Sequence, residues 1–283
     1  MRSLLLPASA LLLLTACGTQ QAGSSSGASA SSCPSDPSWA EEGGVRITGL
    51  RGAACDRVEF EVTNDGSEAF TYTVSFTFAS ESGAAMSSGE ETVESVEPGR
   101  PVRRTVMMTG AERVSIAQVR SVPVDETPSA GGACPASGVR VYADQGDAAM
   151  GLRVVGLHLE NCGTEPYRLN GYPEVEILDE EHEPIDSVRI LKGGDAIAMG
   201  TGADAPPRPL TLAPGERAQS GLVWRNTTEF GEPVNAPYAR IWAKPGAAPV
   251  TVIPELDLGT TGKLGVGAWQ KEEQDQQPER PAS

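Results

Sequence analysis

The sequence predicts an all-β protein made of two tandem antiparallel β-sandwiches, and three observations carry that prediction. Gly 32 and Pro 22 make up about one in five of the 283 residues, a composition suited to many short turns. Apolar residues alternate with period two over short segments, and almost nothing has the 3.6-residue period of a long helix. The same order of features is also written twice, once on each side of the midpoint.

The chain begins with an apolar run from Leu4 to Leu14, interrupted by Pro7 and Ser9. A bilayer-crossing helix needs about 20 apolar residues, so the run reads as the core of a signal peptide and not as an anchor. Leu14-Thr15-Ala16-Cys17 resembles the lipobox of bacterial lipoproteins. That resemblance implies a signal peptide over 1–16, a diacylglycerol thioether on Cys17 and a fatty-acyl chain, such as palmitate, on the new N-terminus. Two or three chains hold a protein on a membrane stably, where one would not. The alternative is an ordinary secreted protein cut after Ala16. From Gly18 to Ser32 only Gly, Ser, Ala, Gln and Thr occur, so 17–32 reads as a lipidated cysteine and flexible tether.

The first predicted domain, 33–122, opens with Cys33-Pro34 and a Gly44-Val45-Arg46-Ile47 strand. Val58 to Val62 alternates strictly and exits through Asn64-Asp65-Gly66, a half-buried strand and its turn. Phe70 to Phe78 places aromatic and β-branched residues on one face and hydroxyls on the other. Glu97-Pro98-Gly99 is a turn, with Pro preset for its second position and Gly free to take a positive φ at its third. Strands at Val102 to Met108 and Val114 to Val119 follow.

Residues 123–133, with two prolines, acids and Gly131-Gly132, read as a linker. The second domain, 134–269, repeats the order: Cys134-Pro135, Gly138-Val139-Arg140-Val141, a strand from Leu152 to Leu159 closing on Asn161-Cys162-Gly163, and Ala213-Pro214-Gly215. Its extra length lies between Asp186 and Pro209, a Gly- and Pro-rich segment read as an exposed loop. The tail 270–283 is charged and Gln-rich, and reads as disordered.

Five cysteines leave an odd thiol in an exported protein unless Cys17 carries lipid. Cys33, Cys55, Cys134 and Cys162 then allow three pairings; proximity and the repeat favour Cys33 with Cys55 and Cys134 with Cys162. Each closed loop of this length is expected to contribute roughly 3 to 4 kcal/mol. The formal charge of -16 repels phosphate backbones and anionic headgroups. Nucleic acid is therefore excluded as a partner, and membrane attachment falls to the acyl chains.

In the second half, Asn161-Cys162-Gly163, Gly171-Tyr172-Pro173 and Leu212-Ala213-Pro214-Gly215 resemble the domain-of-unknown-function 4232 family, seen mostly in actinobacterial lipoproteins and membrane proteins. The similarity runs from about Cys134 to Trp269. Many members carry the second cysteine shortly before Gly-Tyr-Pro, whereas Cys162 sits nearer the strand end. The family has no established activity, so the resemblance implies a fold and no mechanism. The first half generally resembles small extracellular immunoglobulin-like modules.

Catalytic groups are sparse. The chain has two histidines. His158 alternates with Leu157 and Leu159, so it is expected to face solvent. His182 lies in Asp179-Glu180-Glu181-His182-Glu183-Pro184, read as a charged hairpin turn. Asp179, Glu180 and Glu183 are the candidate carboxylates for a calcium ion, although the spacing is not that of a calcium loop. Gly259-Thr260-Thr261-Gly262-Lys263 fails as a phosphate loop, because Asp257 replaces its first glycine and Leu264 its final Ser or Thr. Trp224, Trp242 and Trp269 read as sandwich fillers.

No catalytic constellation, cofactor site or metal site is assigned. The expected function is that of a non-catalytic lipoprotein on the outer face of the bacterial cytoplasmic membrane, whose sandwich loops, above all Asp186 to Pro209, bind a protein or cell-wall partner. The alternatives are a carboxylate-based hydrolase or calcium-binding module using Asp179, Glu180 and Glu183, and a structural spacer. Changing Cys17 to Ala is expected to move the protein from the membrane fraction to the medium; unchanged detergent partitioning would refute the anchor.

Overall fold

The computed structural model describes Cys33 and residues 41–272. The leader, Cys17 and the whole tether, residues 34–40 and the tail beyond Glu272 lie outside the described residues. Among those described there is no α-helix, and the sheets are antiparallel apart from one parallel strand pair.

The first sandwich contains β1 (Glu41–Glu42), β2 (Val45–Arg51), β3 (Arg57–Val62), β4 (Phe70–Ala79), β5 (Ala85–Val96), β6 (Val102–Met107) and β7 (Arg113–Pro123). They form two sheets, ordered β1-β2-β3-β6 and β5-β4-β7. Alternate residues point inward: Val58, Phe60 and Val62 from β3 meet Tyr72, Val74, Phe76 and Phe78 from β4. Each such side chain contributes about 1.5–3 kcal/mol on burial. β5 escapes the sequence pattern because of its twelve residues only Val93 and Val96 are buried apolar ones. Its partner β4 supplies the order that its own composition lacks.

The second sandwich contains β8 (Val139–Ala143), β9 (Asp147–Ala149), β10 (Leu152–Asn161), β11 (Tyr167–Asn170), β12 (Glu174–Leu178), β13 (Arg189–Lys192), β14 (Pro209–Leu212), β15 (Arg217–Arg225), β16 (Asn235–Ala236), β17 (Tyr238–Trp242), β18 (Pro249–Val252), β19 (Leu256–Asp257), β20 (Lys263–Val266) and β21 (Gln270–Lys271). Its main sheet runs β13-β20-β15-β10-β8 and faces β12-β17-β18. Leu157, Leu159, Leu222, Trp224, Ile241 and Trp269 form the centre of one buried cluster between them. Trp224 and Trp269 fill that core, and their indole N–H groups donate to Asp257 Oδ1 at 2.7 Å and to the Ala243 carbonyl at 2.9 Å.

The repeated grammar corresponds to repeated bonding. Asn64 and Asn161 are each 1 % exposed. The Asn64 amide donates to the Glu68 and Val96 carbonyls, both at 2.7 Å, and its side-chain oxygen accepts from Gly66 N at 2.8 Å. Asn161 does the same toward Glu165 and Leu212, both at 2.9 Å, and Gly163 at 3.2 Å. The two main-chain carbonyls then accept from Gly99 and Gly215, the glycines of the Pro-Gly turns. Gly44 and Gly138, opening the two Gly-Val-Arg strands, have φ of 76° and 74°, where a β-carbon is disfavoured. A β-carbon at Gly44 would also collide with the Thr63 carbonyl.

A cross-strand ion triad is repeated as well. Glu61 lies opposite Arg46 and Arg103 and bonds both at 3.0 Å. Glu160 lies opposite Arg140 and Arg217, at 3.1 and 3.4 Å. Hydrogen bonds from Arg103 and then Arg46 hold the Glu61 carboxyl below the usual carboxylate range. Disulfides join Cys33 to Cys55 and Cys134 to Cys162, across 22 and 28 residues.

The sandwiches meet at a packed joint. Val122, Leu178 and Tyr238 are buried together, with Ile253 against them. Ser121 N donates to the Tyr238 hydroxyl at 3.0 Å, and Arg120 bonds Glu255 through two nitrogens at 2.6 and 3.0 Å. The segment read as a linker takes part: Val124–Glu126 is a 3-10 turn, and Glu126 accepts from Arg240 at 2.9 Å and Thr251 at 2.5 Å. The fold also continues past Trp269, because Gln270–Lys271 pairs with β15 and Lys271 reaches Glu216 at 2.7 Å. Residues 270–271, read as the start of a disordered tail, are thus part of the sheet.

Asn161→Ala strands the buried Leu212 carbonyl and leaves a part-buried carbonyl and amide without their partner, and is expected to cost about 3 kcal/mol, read as a lower guanidinium midpoint; Asn64→Ala should cost a similar amount. A loss below about 0.5 kcal/mol would show that the bonds are dispensable. Brief proteolysis is expected to nick only Ala130 to Ala133 of the connecting segment, where four consecutive residues are exposed. The two fragments should co-elute on native gel filtration, and their separation would show that the joint does not hold.

Candidate functional site

The acidic turn after β12 is organised by its own first residue. Asp179 Oδ1 accepts from Glu181 N at 3.0 Å and Glu183 N at 2.8 Å, so this carboxylate closes the turn. The Glu180 carboxylate lies 3.7 Å from the Arg120 guanidinium. Among the described residues no group of three or more His, Cys, Asp or Glu is placed to hold a metal ion. Asp179, Glu180 and Glu183 are thus neighbours in sequence that the structure uses for turn closure and a cross-joint ion pair.

His182 is not a soluble loop tip. Its ring stacks on Tyr238 at 4.4 Å and 17°, and packs at a tilt against Phe70 of the first sandwich at 5.3 Å. Its Nε2 donates to the Ser121 carbonyl at 2.8 Å. His182 and Glu255 have φ of 65° and 51°, a left-handed conformation costing about 1–2 kcal/mol for a residue with a β-carbon. Both positions are held by contacts across the joint. The turn lines an open cleft of about 410 Å³ with Arg120, Asn235 and Glu255.

His158 lies on the outer face of β10, as the alternation predicts, but it is covered. Its side chain is 23 % exposed, with Nε2 3.2 Å from Asp144 and Nδ1 2.9 Å from Glu272, and it stacks on Tyr142 at 5.0 Å. With a carboxylate within hydrogen-bond distance of each ring nitrogen, the imidazole is held from both sides. The arrangement clasps the C-terminal segment to the sheet.

The segment between Asp186 and Pro209 is only partly a loop, which corrects the reading of it as an exposed insertion. β13 adds to β20 in parallel, from Arg189 opposite Lys263 to Lys192 opposite Val266. Gly194 and Ala203 are buried, and Gly194 N donates to the Ala203 carbonyl at 2.9 Å. Gly267 makes room for this strap, since a β-carbon there would meet Ala203 at 2.9 Å. The exposed part is the tip around Met199, 85 % exposed. Asp204 braces it, accepting from Thr201 Oγ1 at 2.6 Å and from Gly200 N. Those bonds, that from Thr201 first, hold the Asp204 carboxyl below its ordinary range.

Two further exposed apolar residues were not singled out by sequence reasoning. Met150 and Gly151 form the two-residue hairpin loop between β9 and β10, with φ of 45° and 78°. Positive φ at both positions is the type I′ turn, which favours Asn-Gly or Asp-Gly. Met150 occupies the first position and is 99 % exposed. Phe230, fully exposed, lies on the loop after β15, which is tied to the hairpin by Asn226 N donating to the Gly151 carbonyl at 3.0 Å. The available signal was a large apolar residue before glycine in a two-residue turn.

No curated protein matches the chain. Residues 134–270, which include the buried Asn161 and the Gly215 turn bonded to it, match the family described as Domain of unknown function (DUF4232).

Proposed function

We propose that this protein is a non-catalytic binding module of the bacterial cell envelope, an immunoglobulin-like pair of sandwiches held on the outer face of the cytoplasmic membrane by lipid on Cys17. Its second sandwich recognises a protein or cell-wall component through loop tips that carry large apolar side chains. The observation that supports this reading best is Met150, fully exposed and held at φ 45°. Asn or Asp suits that turn position better, so a strained, solvated Met there fits a contact made outside the chain. Phe230 on the adjoining loop and Met199 on its braced tip add apolar anchors of the same kind. A joint bonded through Arg120, His182 and Glu126 keeps those tips at a set orientation to the first sandwich.

Met150→Asn separates recognition from folding. The substitution is expected to raise stability by about 0.5–1 kcal/mol, because Asn tolerates the left-handed turn, and to weaken capture of the envelope partner at least tenfold. Phe230→Ser should weaken capture without changing the unfolding midpoint. Capture that survives both changes but is lost in His158→Ala would overturn the loop reading in favour of chemistry at the Asp144, His158 and Glu272 cluster.

A further inference from the structure

The second sandwich has an open seam. β8 ends one sheet and β18 ends the other, and they are not hydrogen-bonded to each other. Between them lies a cavity of about 380 Å³, within the range of small-molecule sites, roughly 300–1,000 Å³. Val139 and Val141 of β8 and Val250 of β18 give it apolar walls continuous with the buried core, and Ala247 lines it from the preceding turn. Thr127 and Ser129 of the connecting segment also line it.

Two of the three charged residues in its lining are cations, Arg140 and Lys244, on a chain of net charge -16. Arg140 lines the cavity with a side chain only 11 % exposed. One terminal nitrogen bonds Glu160 at 3.1 Å and the other the Gly132 carbonyl, while Nε is buried with no hydrogen-bond partner among the described residues. Arg140 is matched by Glu160 on the outer face of β8, and its Nε has no surface open to the cavity. Lys244 lines the same cavity; its ammonium sits 3.8 Å from the centre of the Tyr167 ring and gives one bond, at 3.2 Å, to the Arg168 carbonyl. An ammonium has three donors, so capacity remains. Asp125, exposed, is the one acidic residue in the lining.

We propose that this seam is a binding site for a small amphiphilic anion, with its carboxylate or sulfonate taken by the Lys244 ammonium and its apolar body lying between Val139, Val141 and Val250. Charge-assisted bonds at one end and a dry wall at the other select for that combination over a neutral ligand of the same shape. The site shares no residue with the loop tips of Met150, Met199 and Phe230, so it stands or falls independently of partner capture.

The test uses the secreted Cys17→Ala chain, which needs no detergent, and 8-anilinonaphthalene-1-sulfonate as a fluorescent probe. Saturable 1:1 binding is expected, displaced by decanoate and not by decanol at equal concentration. Lys244→Gln should weaken binding at least tenfold. Ala247→Trp, which fills the cavity from a half-buried turn position, should abolish binding with the far-ultraviolet circular dichroism and unfolding midpoint retained. Absent or non-saturable binding, or binding indifferent to Ala247→Trp in a folded chain, would overturn the proposal and leave the seam a hydrated gap. Equal displacement by decanol would overturn anion recognition.

Discussion

Each sandwich depends on one buried asparagine at the end of its second long strand. A side chain with two donors and one acceptor closes its own turn and ties it to a distant strand end, and its own carbonyl receives the Pro-Gly turn. These bonds bring the turn before the fifth main strand back to the strand end, 35 residues away at Asn64 and Gly99 and 54 at Asn161 and Gly215. Insertion of extra chain between them, as in the second sandwich, leaves the knot unchanged. Burial makes one bond of each set matter most: the Val96 and Leu212 carbonyls have no water to replace the amide.

The joint between the sandwiches uses a different device. Polar residues from four segments, Arg120 and Ser121 of β7, Glu126, the acidic turn and Glu255, converge around the buried Tyr238 ring. Default interdomain behaviour is relative motion unless the interface is well packed. Here the left-handed conformations of His182 and Glu255 are maintained by contacts across that interface. The residues most suggestive of chemistry in the sequence are therefore engaged: His182 in joining the domains, Asp179 in closing a turn, His158 in clasping the C-terminal segment. The apolar tips at Met150, Met199 and Phe230 are exposed and have no such engagement.

The amino-acid order by itself determined the all-β class, the two-fold repeat, the core faces of β3, β4 and β10, and the places of the Asn-x-Gly ends and Pro-Gly turns. These are local: period-two alternation and turn chemistry act within a few residues, and are read off wherever one face is buried. Cysteine spacing combined with the repeat likewise pointed to the two local pairs found in the structure. Only the tertiary structure decided the rest. β5 is a polar strand ordered by its neighbour, β13 is recruited in parallel from a segment that reads as loop, and the linker and tail are held by side chains more than 50 residues away. The partners of Arg140, His158 and His182 were invisible for the same reason: hydrogen bonds and cavities between distant segments depend on how sheets pack face to face, and no local period encodes that distance.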